Sequence, residues 1–289
     1  MRPPDLLAAA AARLEAAGVP SPRPDAEIML AHVTGRSRGS LLFSGPVATP
    51  QVEAYEALVT RRQAREPLYY LTGLAPFRHL ELAVGPGVFV PRPETELLAG
   101  AAIDATIEAA GGAPGTHGHS TPVVVDLCTG SGAIAASVAQ EVPYARVHAV
   151  ELEPSALVWA ERNLAATSVD LRAGDLRDAC PDLDGQVDVV VCNPPYVPLT
   201  AFEGVDLEAR THEPDRALFS GEDGLDAVRA LEVTAARLLR PGGWLGFEHA
   251  SEQARTAPGV LVSAGRWTRV RDHADLLDRP RFTTARLRG

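Results

Sequence analysis

The sequence predicts an α/β chain in which a mostly parallel sheet is covered by helices on both faces, preceded by a small helical region. Three observations carry this. From residue 123 onward, short β-branched runs alternate with stretches of helical character. The runs themselves, above all Val123 to Leu127 and Val187 to Cys192, are nearly unbroken in apolar character, as strands buried on both faces are. Residues 1 to about 66 instead carry helix openings at Ser21-Pro22 and Thr49-Pro50 and an apolar face through Leu6, Leu14 and Ala17.

In chain order, a helix containing Leu6 and Leu14 is followed by one from Pro22 through Ala31 and one from about Pro50 to Arg65. From Pro67 the texture changes: Tyr69, Tyr70 and Leu71, then Leu80, Leu82 and Val84, read as short strands around Gly73 and Gly85. Pro91 and Pro93 bracket Arg92 and hold it extended. Glu94 or Thr95 is placed to cap a helix running to about Ala110. Taken alone, Arg92 and Glu94 read as a surface ion pair. Gly111 to Ser120 lacks periodicity and reads as a surface loop; its His117 and His119 have no third ligand in view, so no metal is expected. Strands at Val123–Leu127, Val147–Glu151, Val169–Ala173, Val187–Cys192 and Trp244–Glu248 then alternate with helices at Ala133–Gln140, Pro154–Ala165 and Leu225–Leu239, the last stopped by Pro241-Gly242-Gly243. Arg266–Asp272 and Phe282–Leu287 have no helix between them and are expected to pair antiparallel at one edge.

Composition narrows the function classes. The 289 residues are 46% hydrophobic and 22% charged, ordinary for a soluble globular chain. No apolar run is long enough to span a bilayer, and Arg13 and Glu15 interrupt the apolar start, so neither a membrane span nor a signal peptide is expected. A net charge of −10 disfavours a polyanion partner. All 27 basic residues are Arg, which removes the phosphate-loop Lys of nucleotide hydrolases and any Lys Schiff base. Cys128, Cys180 and Cys192 are an odd count without metal spacing and read as reduced thiols of a cytoplasmic protein.

The chemistry gathers where strands end. Two prolines stop the strand at Cys192, so Asn193-Pro194-Pro195-Tyr196 sits on the carboxyl edge of the sheet, where open α/β sheets bind ligands. Asp126-Leu127-Cys128-Thr129-Gly130-Ser131-Gly132 joins the first strand to a helix whose N-terminus lies beneath. Glu151 ends the next strand, about 20 residues on, in position to hold two ribose hydroxyls. This geometry serves a dinucleotide or S-adenosylmethionine equally well. Two features favour the second: Asp126 would oppose a pyrophosphate but suits a cationic amino-acid moiety, and a hydride-transfer site has no need of the Asn-Pro-Pro-Tyr turn. Asp175, after the third strand, is in reach of an adenine amino group. A planar NH₂ on an sp² carbon is a poor nucleophile; the Asn193 side-chain oxygen and the Pro194 carbonyl can hold its hydrogens while Tyr196 packs on its flat face.

Asp126 to Gly132, Glu151 and Asn193 to Tyr196 resemble the Rossmann-like class I S-adenosylmethionine-dependent methyltransferases that alkylate planar nitrogens. Pro67-Leu68-Tyr69-Tyr70-Leu71-Thr72-Gly73, Phe77 and Gly87 to Glu96 narrow the resemblance to the HemK/PrmC family, the protein-(glutamine-N5) methyltransferases of peptide chain release factors. The resemblance implies a helical N-terminal domain over 1–66 that contacts the release factor, a hairpin linker over 67–95 and a catalytic domain over 96–289. It implies the Gln of the Gly-Gly-Gln tip of a class I release factor as substrate, gripped by Asn193, Pro194, Pro195 and Tyr196, with Phe89 and Arg92 near the site mouth. It implies S-adenosyl-L-methionine as cofactor, lined by Cys128, Thr129, Gly130, Ser131, Gly132, Glu151 and the start of the Asn193 turn. Two residues depart from the pattern. Cys128 stands where the family usually has Gly, which calls for an unstrained φ there and brings a thiol toward the methionine moiety; Leu176 stands where some members carry an aromatic, which weakens adenine stacking. A monomer without direct nucleic-acid contact is expected. The competing readings are an adenine-N6 methyltransferase of DNA or RNA, which the net charge disfavours, and a non-catalytic S-adenosylmethionine sensor, which the intact Asn193 disfavours.

Overall fold

A computed structural model describes residues 1–111 and 121–289; His117 and His119 lie outside the described residues. The chain divides into two compact units, one of residues 1–75, 84–86 and 206–212, the other of 76–83, 87–205 and 213–289.

The first unit is helical. α1 (Pro3–Ala16), α2 (Pro22–Thr34) and α3 (Thr49–Gln63) each carry proline in their first turn, where the missing N–H costs nothing. They close on a core that includes Leu7, Leu14, Met29, Leu30, Tyr55 and Val59, all fully buried. Inside it the Arg62 guanidinium binds Asp25 at 2.8 Å and Glu208 at 2.8 Å, so a buried charge is paired on two sides. Tyr69, Tyr70 and Leu71 are not a strand, as the sequence predicted, but lie in α4 (Leu68–Thr72), closed by Gly73 at φ +76°. A short apolar run does not declare its period, and here packing of Leu71 into the helical core decides it. The hairpin strand is the next one along: β1 (Leu74–Phe77) pairs with β2 (Leu80–Ala83).

The second unit holds the expected α/β sheet. After α5 (Thr95–Ala109) come β3 (Val123–Leu127), α6 (Ala133–Glu141), β4 (Arg146–Glu151), α7 (Pro154–Leu164), β5 (Asp170–Ala173) and β6 (Val187–Cys192). Two short helices follow, α8 (Leu207–His212), which belongs to the first unit, and α9 (Asp215–Leu218). The chain ends with α10 (Asp226–Leu238), β7 (Leu239–Glu248), α11 (Thr256–Ala264), β8 (Trp267–Ala274) and β9 (Pro280–Leu287). The sheet order is β5-β4-β3-β6-β7-β9-β8, parallel from β5 to β7, with β9 and β8 the antiparallel pair at one edge.

Alternate residues feed two cores. Val123, Val125, Leu127, Val190 and Cys192 face α10 and α11, while Val124, Val189 and Val191 face α5, α6 and α7. Burial on both sides is why these strands carry no polar alternation. Neither Glu94 nor Thr95 caps α5 through its side chain: Glu94 binds Arg279 at 3.1 Å and the Thr95 hydroxyl turns to Glu248.

Sheet order places the site. From β3 the chain moves outward through β4 and β5, then returns to the other side of β3 as β6. The loops after β3 and β6 therefore leave in opposite directions and open a crevice at the carboxyl edge. Leu127 is in register with Cys192, so Cys128 and Asn193 begin their loops side by side.

Candidate active site

The β3 loop is built around two carboxylates. Asp126 is buried; its Oδ2 accepts the Thr129 hydroxyl at 2.6 Å and the Ala135 N–H at 3.1 Å, while Oδ1 is buried without a partner among the described residues. Burial pushes its carboxyl up to about 7, against the pull of those two donors. Glu151, at the end of β4, accepts the Gly130 N–H at 2.8 Å on one oxygen and the N–H groups of Leu152 and Glu153, at 2.9 and 2.8 Å, on the other. Burial raises its pKa while these backbone donors lower it. Gly132, at φ +83°, is in a conformation that strains any side chain, and a Cβ there would crowd Leu164 at 3.0 Å. Cys128 does not have the unstrained φ expected of it. It sits at φ +57°, the left-handed region, because the tight turn after β3 demands that conformation whichever residue stands there. Burial, together with the Cys128 thiol beside it, holds Cys192 well above its ordinary pKa.

At the end of β6 the Asn193 amide donates through Nδ2 to Thr95 Oγ1 at 3.3 Å. Thr95 donates in turn to Glu248 Oε2 at 2.7 Å, and the Tyr196 hydroxyl donates to Glu248 Oε1 at 2.9 Å. Burial pushes Tyr196 well above its ordinary pKa, so it stays a neutral phenol that donates. The turn is braced from behind: Gln253 donates to the Tyr196 carbonyl at 2.9 Å, and Val197 pairs with the 218–220 segment. The Arg92 guanidinium binds buried Glu213 at 2.7 Å and lies over the Phe89 ring, 4.7 Å from its centroid. The simple Arg92–Glu94 pair read from the sequence is therefore not formed.

A cavity of about 490 Å³ opens between the two loops. This is within the usual size range of small-molecule sites. Asp126, Cys128, Thr129, Gly130, Ser131, Glu151, Asp175, Leu176, Asn193, Pro195, Tyr196 and Phe89 line it. Gly132, Pro194 and Arg92, also expected here, do not: Gly132 underlies the loop against Leu164, Pro194 is buried, and Arg92 stands behind Phe89. Sequence reasoning missed Phe77, Thr95 and the segment around Pro214 to Phe219, which also line the cavity. It missed Glu248 as well, although a carboxylate closing a strand, as in Glu151, was a signal to be read.

Comparison with known proteins bears on this site. The PrmC N-terminal domain family model matches residues 5–73, and the methyltransferase small domain model matches residues 116–206. The chain is 56% identical over 280 residues to the release factor glutamine methyltransferase of Streptomyces coelicolor, covering 97% of this chain and 96% of that protein. The chain belongs to the release factor glutamine methyltransferase family. A second such methyltransferase, from Mycolicibacterium smegmatis, is 44% identical over 96% of this chain and 95% of its own length. The 4-amino-L-phenylalanine/4-methylamino-L-phenylalanine methyltransferase of Streptomyces pristinaespiralis is 42% identical over 85% of this chain and 82% of that protein. Among solved structures, the catalytic domain of hMettl16, in complex with a 3′UTR hairpin, shares the fold with a TM-score of 0.52 at 14% identity, covering 85% of this chain and 84% of that one. As a release factor glutamine methyltransferase the protein is an enzyme, and the methyltransferase small domain match spans both loops that bound the cavity.

Proposed function

We propose that the enzyme transfers the methyl group of S-adenosyl-L-methionine to the N5 nitrogen of the glutamine in the Gly-Gly-Gln motif of class I peptide chain release factors. The observation that carries the reading is the Asn193 amide, tied by its own NH₂ to Thr95 and lining a cavity that the glycine-bearing β3 loop also lines.

The residues present fit the cofactor. Asp126 brings a buried carboxylate oxygen, unpartnered among the described residues, into a cavity-lining loop, which suits an ammonium group. Glu151 would hold the ribose through the one lone-pair site, on Oε2, that its three backbone donors leave free, and Asp175 and Leu176 would meet the adenine. When bound, the sulfonium supplies an electrophilic methyl carbon and departs with the C–S electron pair as the neutral thioether of S-adenosyl-L-homocysteine. Asn193 Oδ1 accepts one hydrogen of the substrate NH₂, and the Pro194 carbonyl, which does not line the empty cavity, accepts the other once the turn shifts on substrate binding; this favours pyramidal nitrogen and frees its lone pair to form the new N–C bond. Tyr196 packs on the flat face of the substrate amide, and Pro195 stiffens the turn. One N–H proton leaves to solvent, because an alkylated amide nitrogen is strongly acidic. The site thus acts by positioning and needs no strong base. Phe89 and Arg92 flank the entry. The same reading has the enzyme acting in the cytoplasm as a monomer, its cysteines reduced, as the free Cys128, Cys180 and Cys192 fit.

The test offers methyl-labelled S-adenosyl-L-methionine with three acceptors: a class I release factor, the same factor with its Gly-Gly-Gln glutamine replaced, and mixed DNA and RNA. Label is expected on the first alone. Equal labelling of the second, or salt-sensitive labelling of nucleic acid, contradicts the proposal.

A further inference from the structure

Building on that reading, we infer that Thr95 and Glu248 are positioning residues that set which end of the Asn193 amide faces the cavity. An asparagine amide is nearly symmetric in shape, and rotation by half a turn exchanges its acceptor oxygen for its donor NH₂. Only one of the two orientations offers an acceptor to a substrate NH₂. The turn itself does not choose between them, because prolines fix the backbone and not the side chain.

The choice is made two hydrogen bonds deep. Glu248 closes β7 with 1% of its surface exposed. Each of its carboxylate oxygens takes a hydroxyl: Thr95 at 2.7 Å and Tyr196 at 2.9 Å. Burial raises the Glu248 pKa, while the Thr95 and Tyr196 hydroxyls and the Arg281 guanidinium pull it back down; as the carboxylate, Glu248 accepts and never donates, so both hydroxyl protons point at it. Thr95 has one proton, and it is now committed. Toward its other neighbour, 3.3 Å away, Thr95 Oγ1 presents only lone pairs. A carbonyl oxygen there would meet lone pair against lone pair; an NH₂ makes a hydrogen bond. Asn193 therefore turns its NH₂ to Thr95, and Oδ1 faces away from it.

The arrangement is held by the fold. Thr95 is the first residue of α5, 4% exposed, and the helix is fixed by buried Leu98, Ala99 and Ala102. Its hydroxyl is thus a stationary anchor that spans the ends of β6 and β7. Tyr196 donates to the same carboxylate, which fixes its hydroxyl end beside the cavity.

The experiment compares Thr95→Val, Thr95→Ala and Thr95→Ser with the parent and with Asn193→Ala. It measures turnover at saturating release factor and cofactor, the dissociation constant of S-adenosyl-L-homocysteine, and the melting temperature. Thr95→Val and Thr95→Ala are expected to lower kcat about 10- to 100-fold, with S-adenosyl-L-homocysteine affinity within about threefold of the parent. Thr95→Ser, which keeps the hydroxyl, is expected to restore kcat to within about threefold. Unchanged kcat in Thr95→Val and Thr95→Ala, a Thr95→Ser as slow as Thr95→Val, or a loss that tracks unfolding or lost S-adenosyl-L-homocysteine binding in both apolar variants overturns the inference. If Asn193→Ala is dead while Thr95→Val is not, only this inference fails. If Asn193→Ala keeps its turnover, or the parent does not methylate the release factor, the functional reading fails first and the inference with it.

Discussion

On the proposed function Asn193 serves the substrate and Asp126 the cofactor, and each owes its behaviour to what surrounds it. Asn193 stands at the end of β6 with its NH₂ already engaged by Thr95, so the side chain has little freedom left to adapt to a misplaced substrate. Asn193→Ala is expected to lower kcat by about 10²- to 10³-fold, the loss typical of a single transition-state hydrogen-bond partner, while cofactor affinity stays within about threefold. Steady-state kinetics with calorimetric binding of S-adenosyl-L-homocysteine checks it. Asp126 behaves differently because it is buried with one oxygen unpaired among the described residues. Its folded-state pKa is raised to about 7. As pH rises from about 4, the unfolded chain ionises this group while the folded chain keeps the proton. The empty enzyme therefore loses stability through that window, up to the folded pKa, and levels off above it. A bound cation favours the ionised form, so affinity for S-adenosyl-L-homocysteine should rise about tenfold from about pH 6 to about pH 8. Asp126→Asn should flatten that slope; an equal slope in the variant would place the titrating group elsewhere.

At the scale of elements, the site depends on two turns that the sheet forces into tight shapes. Cys128 occupies the left-handed region at φ +57° directly after β3. A β-branched residue tolerates that conformation worst, so Cys128→Val should destabilise the fold by about 2 kcal/mol in urea unfolding, whereas Cys128→Gly should not. The Asn193 turn leans on Gly224, at φ +75°, where an added Cβ would stand 2.2 Å from the Tyr196 carbonyl oxygen and 2.6 Å from Gln253 Nε2. Gly224→Ala should cost about 2–4 kcal/mol and also slow turnover, because what must move is the backbone of the turn itself. What could be read in advance follows the same division. β3 and β6 were legible to the residue, because burial on both faces leaves an unbroken β-branched run and prolines mark where β6 stops. Tyr69, Tyr70 and Leu71 were misread because a run so short fits a strand or a helical turn, and only the core around Leu71 distinguishes them. The left-handed φ at Cys128 was misread: the Gly usual at that place in the family signals such a turn, but the Cys on its own calls for an unstrained φ.

For the whole molecule, the sheet order brings distant segments to one edge. The β3 loop, the β6 turn, the start of α5 and the end of β7 are far apart in sequence and meet around a single cavity or directly behind it. Motifs compact in sequence, such as Gly130-Ser131-Gly132 and Asn193-Pro194-Pro195-Tyr196, announced themselves. The Thr95–Glu248 contact did not, because nothing local to either residue implies the other; only the fold pairs them. The similarity covers nearly the full length of this chain and of the two relatives, so it takes in every segment that meets at this edge. The central claim is that this edge methylates an amide nitrogen. The most direct measurement is tandem mass spectrometry of a class I release factor after incubation with the enzyme and S-adenosyl-L-methionine. The account predicts a single methyl gain, localised by fragmentation to the side-chain nitrogen of the Gly-Gly-Gln glutamine. A methyl group on any other residue of the factor, or an unmodified Gly-Gly-Gln peptide from active enzyme, would contradict it.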